Sequence, residues 1–184
     1  MELGNVVELI DRQKMVCAVI LEIKKLRLRL LTEANREVKL SASRLSHRCN
    51  SHLDLSLSRE VLVDTLREVS SRRKALIDSV DVKELWEVLN SEQEWIDLET
   101  MTEFCFPGSP SSDHESAVVR AFFNDRRYFK FNGSRFFPHS EEKVIQLENR
   151  DKENARMERI VSGGSRWIKH LIQNEPLSSI DLSE

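Results

Sequence analysis

Glycine is scarce in this chain: five residues in 184, at positions 4, 108, 133, 163 and 164. That spacing excludes a glycine-rich phosphate loop, in which bare backbone must approach an anion. There is also no G-x-S-x-G elbow and no H-E-x-x-H pair. No tight aspartate cluster is present that could hold Mg²⁺ and its water. These absences leave no catalytic residue to name. Cysteine is nearly as sparse, and Cys17, Cys49 and Cys105 are odd in number with no C-x-x-C spacing. This argues against a disulfide framework and fits a reducing, cytoplasmic setting. The longest wholly apolar run, Met15 to Leu21, is seven residues, far short of a bilayer span. The N-terminus lacks the basic-then-apolar order of a signal peptide, so no membrane association is expected.

Positive charge is not scarce but uneven. The formal net charge is −3, yet residues 1–49 hold ten Lys/Arg against six Asp/Glu. Residues 126–139 carry four Lys/Arg and no acid. A chain that is acidic overall and basic in two places can present a local anion-binding surface.

Residues 4–40 read as short strands. Leu26, Leu28 and Leu30 alternate with Arg27 and Arg29, a period of two with a basic outer face. Met15 to Ile23 is apolar on both faces, as in a strand lining a small barrel. Lys24-Lys25 and Thr32 to Asn35 supply turns. The expectation is a small SH3-like β-barrel over residues 1–49. A polar connector follows, then a linking helix from Ser58 to about Ser79 whose Arg59, Arg67, Arg72, Arg73 and Lys74 form a solvated face. His47, Cys49 and His52 lie within six residues, but zinc sites draw ligands from two separate segments. The expected reading is a polar loop and no metal.

From residue 80 the pattern changes to short helices. Asp81, Asp97 and Ser112 each open one, and Pro107-Gly108 stops the second. The interval from Phe122 to Phe137 then packs seven of the twelve aromatic residues into sixteen positions. Asn132-Gly133 between two β-prone runs predicts a type I′ hairpin, with Phe129 facing Phe136 and Lys130 facing Arg135. Three helices and a hairpin over residues 80–139 are the order of a winged helix. Phe129, Phe131 and Phe136 are expected underneath. Tyr128 and Phe137 share the face of Lys130 and Arg135, where rings could stack bases while cations meet phosphates. Ser140 caps a charged helix to about residue 172, with a break expected at Gly163-Gly164. Residues 173–184 read as a disordered tail. The fold class is therefore α+β.

These residues resemble a known family. The opening Val6-Val7-Glu8-Leu9-Ile10-Asp11-Arg12-Gln13-Lys14 and the run from Leu28 to Val38 look like the N-terminal region of ribonuclease II/ribonuclease R-type exoribonucleases. The similarity is to the branch with a helix-turn-helix module there, and Phe123 to Phe131 is similar to the wing of that module. The resemblance implies a region that guides single-stranded RNA to a catalytic domain absent from this chain. That domain degrades RNA from the 3′ end with Mg²⁺ held by its own aspartates, so no cofactor is expected here. Its partners would be single-stranded RNA and that catalytic domain. Phosphate contacts would come from Arg126, Arg127, Lys130 and Arg135, with Tyr128 stacking and Lys14, Arg27 and Arg29 as a second patch. Two rivals remain. One is a winged-helix DNA-binding regulator, although Arg120 is the only Lys/Arg of its third helix. The other is a module that packs on a catalytic domain and touches no nucleic acid.

Overall fold

In the computed structural model, which describes residues 1–172 apart from Ser109 and Gly133, five strands open the chain. They are β1 (Asn5–Asp11), β2 (Lys14–Lys24), β3 (Arg27–Thr32), β4 (Glu37–Ser41) and β5 (Leu45–His52). They form one antiparallel sheet in the order β4-β3-β2-β1-β5. Arg12 and Gln13, at φ 49° and 64°, turn β1 into β2. Lys25 and Asn35, at φ 55° and 57°, serve the next two turns, where the sequence predicts them. Gly4 is at φ 83°, and a Cβ there would lie 2.5 Å from the Leu53 carbonyl oxygen, so only glycine fits.

Two features differ from the expected barrel. The sheet is open, because no ladder joins β4 to β5. The polar stretch from Ser46 to Ser58, expected to be a connector, begins as β5, an edge strand paired only with β1. Its inward positions His47 and Cys49 are buried while Arg48 and Asn50 are exposed, so its composition hides its role. The two apolar faces of β2 also enter two different clusters. Cys17 and Val19 pack with Val6 and Leu31 against Leu62, Val63, Leu66 and Val69 of α1 (Arg59–Ile77). Ala18 and Ile20 pack with Val7, Leu9, Leu28, Leu30 and Leu40 on the sheet's other face.

The remaining elements are α2 (Val82–Leu89), β6 (Ile96–Asp97), α3 (Leu98–Cys105), α4 (Ser112–Asn124), β7 (Phe129–Asn132) and β8 (Arg135–Pro138). Side chains of Ser58, Asp81 and Asp97 cap α1, α2 and α3 by accepting backbone N–H groups, which satisfies donors the helix itself cannot. The α4 cap is Ser111 rather than Ser112, and its N–H donates to His114 Nδ1 at 2.9 Å. A second sheet runs β6-β8-β7; the two-residue β6 has too few positions to show a period.

The hairpin register also differs from expectation. Asn132 pairs with Arg135, Phe131 with Phe136 and Lys130 with Phe137. Lys130 and Arg135 are therefore diagonal rather than opposed, which relieves the like-charge conflict of the expected register. Gly133 of the expected turn lies outside the described residues.

The sheet and helices meet around a buried ion cluster that the sequence did not announce. Glu8 of β1 is fully buried on the helix-facing side of the sheet. Its Oε1 accepts from Arg73 Nη1 and Arg120 Nε, each at 3.0 Å, and its Oε2 from Ser116 Oγ at 2.7 Å. Arg73 also donates through Nε to Asp113 Oδ1 at 2.8 Å and through Nη2 to Cys49 Sγ at 2.9 Å. Arg73 was expected on a solvated face, yet it is 0% exposed. Burial by itself would raise the Glu8 carboxyl, but Arg120 and Arg73 together hold it below its ordinary value. Burial, with the Glu8 charge adding to it, pushes the Cys17 thiol up to about 12. Burial likewise moves Cys49 to about 11. Both thiols therefore act as weak hydrogen-bonding groups here. Cys17 on β2 and Cys49 on β5 flank β1 on opposite sides, which puts their Cα atoms roughly 9–10 Å apart and beyond disulfide reach.

The chain divides into two units, Met1–His139 and a second that begins at Ser140. The second contains α5 (Glu141–Ile172), opened by Ser140, whose Oγ accepts from Lys143 N. The expected break at Gly163-Gly164 does not occur, and α5 is continuous through it. Unlike proline, glycine keeps its N–H donor, so it weakens a helix without interrupting the ladder. The expected tail, 173–184, lies outside the described residues. No helix among the described residues is long and apolar enough to cross a membrane.

Candidate nucleic-acid interface

The hairpin side chains divide by the pleat. On the inner face Phe129 and Phe136 are buried against Phe122 of α4, with ring centroids at 4.9 and 4.4 Å. Phe131 stacks on Phe136 at 4.9 Å. This apolar seam anchors the hairpin, so the opposite face is held in a fixed position.

That outer face carries Lys130, Arg135 and Phe137, joined by Trp95 from the approach to β6. Trp95 and Phe137 lie 5.4 Å apart at 52°, and Lys130 Nζ stands 5.7 Å from the Trp95 centroid. Trp95 is 41% exposed, while Lys130 and Arg135 are open to solvent. Asp97 pairs in register with Arg135. It accepts from Thr100 N at the α3 cap, and that bond first and Arg135 last keep its carboxyl below the usual value. The result is a small platform of two rings and two cations, three of them on β7 and β8 and Trp95 on the loop before β6. Rings can stack bases and cations can meet phosphates.

The other expected contacts are placed less favourably. Arg126 is exposed, but its guanidinium lies 4.1 Å from the Phe123 ring centroid and its Nε donates to Phe123 O. Arg127 is engaged bidentately by Asp125, at 2.8 and 2.5 Å. Tyr128 departs furthest from expectation. It is only 5% exposed and packs on Trp86 at 5.6 Å, so its ring faces are not open to a base.

The second patch disperses. Arg29 is paired with Glu22 at 3.1 Å and Glu37 at 3.3 Å. Arg27 is exposed opposite Lys24, whereas Lys14 lies opposite Asp11 at the other end of β2. Ten residue steps along β2 separate Lys14 from Lys24, roughly 33 Å. These cations do not form one surface.

Trp95 is the functional candidate that sequence reasoning missed. Its one local signal is a tryptophan just before the Asp97 cap that belongs to no apolar stripe. For the third-helix DNA reading, Ser116 to Phe122 of α4 are all buried, and its partly exposed N-terminal turn carries Asp113 and Glu115. Arg120, the one cation of that helix, is committed to Glu8. His47 is buried with Nε2 at 3.6 Å from Glu115 Oε2, and burial lowers its imidazole below the ordinary value. No group of His, Cys, Asp and Glu among the described residues is placed to hold a metal ion. No family model, curated protein or solved structure matches the chain.

Proposed function

We propose that this chain is an RNA-binding accessory region of a ribonuclease II-type exoribonuclease, which leads single-stranded RNA toward a catalytic domain. In this reading residues 80–139 are a winged helix, and residues 1–52 have an SH3-like strand order in an open sheet. What supports the first assignment is the sequence α2, β6, α3, α4, β7, β8 with sheet order β6-β8-β7. The observation that carries the functional reading is the outer face of that sheet, where Trp95 and Phe137 stand 5.4 Å apart beside Lys130. An unstacked strand offers bases to such rings; a duplex keeps its bases inside. Lys130 and Arg135 supply phosphate contacts.

Fluorescence anisotropy of a labelled single-stranded RNA and a matched duplex DNA, each titrated with salt, tests this. Single-stranded RNA should bind more tightly, with affinity falling as salt rises. If Lys130→Glu with Arg135→Glu leaves RNA affinity untouched, the platform is not the RNA site. If neither nucleic acid binds at low salt, the RNA reading fails.

A further inference from the structure

The face built by α2 and α3 has the opposite chemistry to the β6-β8-β7 platform. Between Lys74 and Arg120 the chain carries eleven Asp/Glu and a single Lys/Arg, Lys83. Within this stretch a groove of about 360 Å³ opens along α2 and α3. Its walls include Leu85, Val88 and Leu89 from one face of α2, and Phe104 and Cys105 from the end of α3. Val88 is 69% exposed and Phe104 53%, large apolar side chains left in water on both sides of a concavity. Asp81 and Glu84 line the groove, and Glu87 and Glu103 adjoin Val88 and Phe104 in the chain. Lys83 is occupied by Glu87 at 3.5 Å, so the local cation leaves the acidic rim in excess.

We infer that this groove is a docking site for a protein segment that is apolar along one face and basic on its flanks, in the form of a short amphipathic helix. Charge selects this occupant. A nucleic acid or an anionic membrane would meet a rim of its own sign, whereas flanking Lys or Arg side chains are drawn to it. The apolar walls take anchors spaced i, i+3 and i+4, as in other helix-in-groove recognition. Exposed apolar surface gathered in a groove and rimmed by charge marks an interaction site more than scattered exposure does. The inference stands apart from the RNA reading, because it uses a different face and the opposite charge.

The test is selection of random sixteen-residue peptides displayed against the full chain, followed by affinity measurement on a synthetic winner. Enriched peptides should carry large apolar residues at helical spacing between Lys or Arg. Binding of the winner should weaken at least tenfold on Phe104→Ser and on Glu84→Lys, and should fall with salt. Bound peptide should also slow alkylation of Cys105, whose thiol burial holds at about 11. Both substituted side chains are exposed; if Phe104→Ser lowers the urea midpoint, Val88→Ser replaces it. No enrichment, winners with acidic flanks, or affinity indifferent to these substitutions would overturn the inference. A dimer in sedimentation equilibrium that Phe104→Ser dissolves would also overturn it, by making a second copy the occupant.

Discussion

Arg73 and Arg120 on one side, Lys130 and Arg135 on the other, are the same kind of residue put to opposite uses. The first pair is buried and engaged: Glu8, Asp113 and two thiols accept from it. It ties β1 to α1 and α4, and burial keeps it away from any ligand in solvent. The second pair stands on exposed strand positions beside two rings. It touches the fold lightly, Lys130 at the Trp95 ring and Arg135 opposite Asp97, and both side chains stay exposed. Counting cations along the chain does not separate the two cases; what separates them is whether a carboxylate from another element arrives within hydrogen-bond distance.

The sharpest break in that comparison is Arg120→Met. Leaving Glu8 buried with one cation fewer should cost roughly 3–5 kcal/mol, read as a lower urea midpoint, while the fraction still folded binds RNA normally. Next is Lys130→Glu with Arg135→Glu, which should weaken single-stranded RNA binding by about tenfold or more and flatten its salt dependence. Its stability should fall by no more than about 1 kcal/mol, the cost of setting a second carboxylate opposite Asp97. Trp95→Ala should cost about 1–3 kcal/mol of RNA affinity if a base stacks there; an unchanged affinity would reduce the platform to its cations.

Acid should then distinguish the clusters by stability. His47 is held below its ordinary value by burial, so the unfolded imidazole takes up a proton first. Stability should fall as pH drops below about 6.5, and His47→Gln should remove that limb. Glu8 and Asp113 are also lowered. Their contribution is therefore complete above the unfolded carboxylate range, and should be lost as pH falls through that range and then through their folded values. The smallest effect is expected from Lys14→Ala with Arg27→Ala. RNA affinity should change by less than about 0.5 kcal/mol, since these side chains do not share a surface.

Local chemistry was legible in the chain. Ser58, Asp81, Asp97 and Ser140 announced their helices because a cap is satisfied by residues two or three positions on. The strand period at Leu28 and Leu30 and the turns at Lys25 and Asn35 were readable for the same reason. Strand β5 was not: an edge strand buries only alternate residues, and His47 and Cys49 do not look like a core. The hairpin was visible from its aromatics, but its register was not, since residues outside the hairpin pair with it through β6. Of the platform, Lys130, Arg135 and Phe137 were legible from strand alternation. Trp95 was not, because it joins them only when β6 pairs with β8. Tyr128 misled because alternation assigns a face and cannot say that Trp86 already occupies it.

By itself, then, the sequence determined the class of the fold, most element starts and the basic, aromatic character of the hairpin. All of these depend on neighbours within a few residues. Tertiary structure alone decided which arginines became part of the core, that β1 would carry a buried carboxylate to meet them, and that a tryptophan from a loop would complete the outer face. The reason is physical: charge and ring stacking are pairwise, and here the partners lie 65 and 112 residues apart for Glu8 with Arg73 and Arg120, a separation no local pattern records.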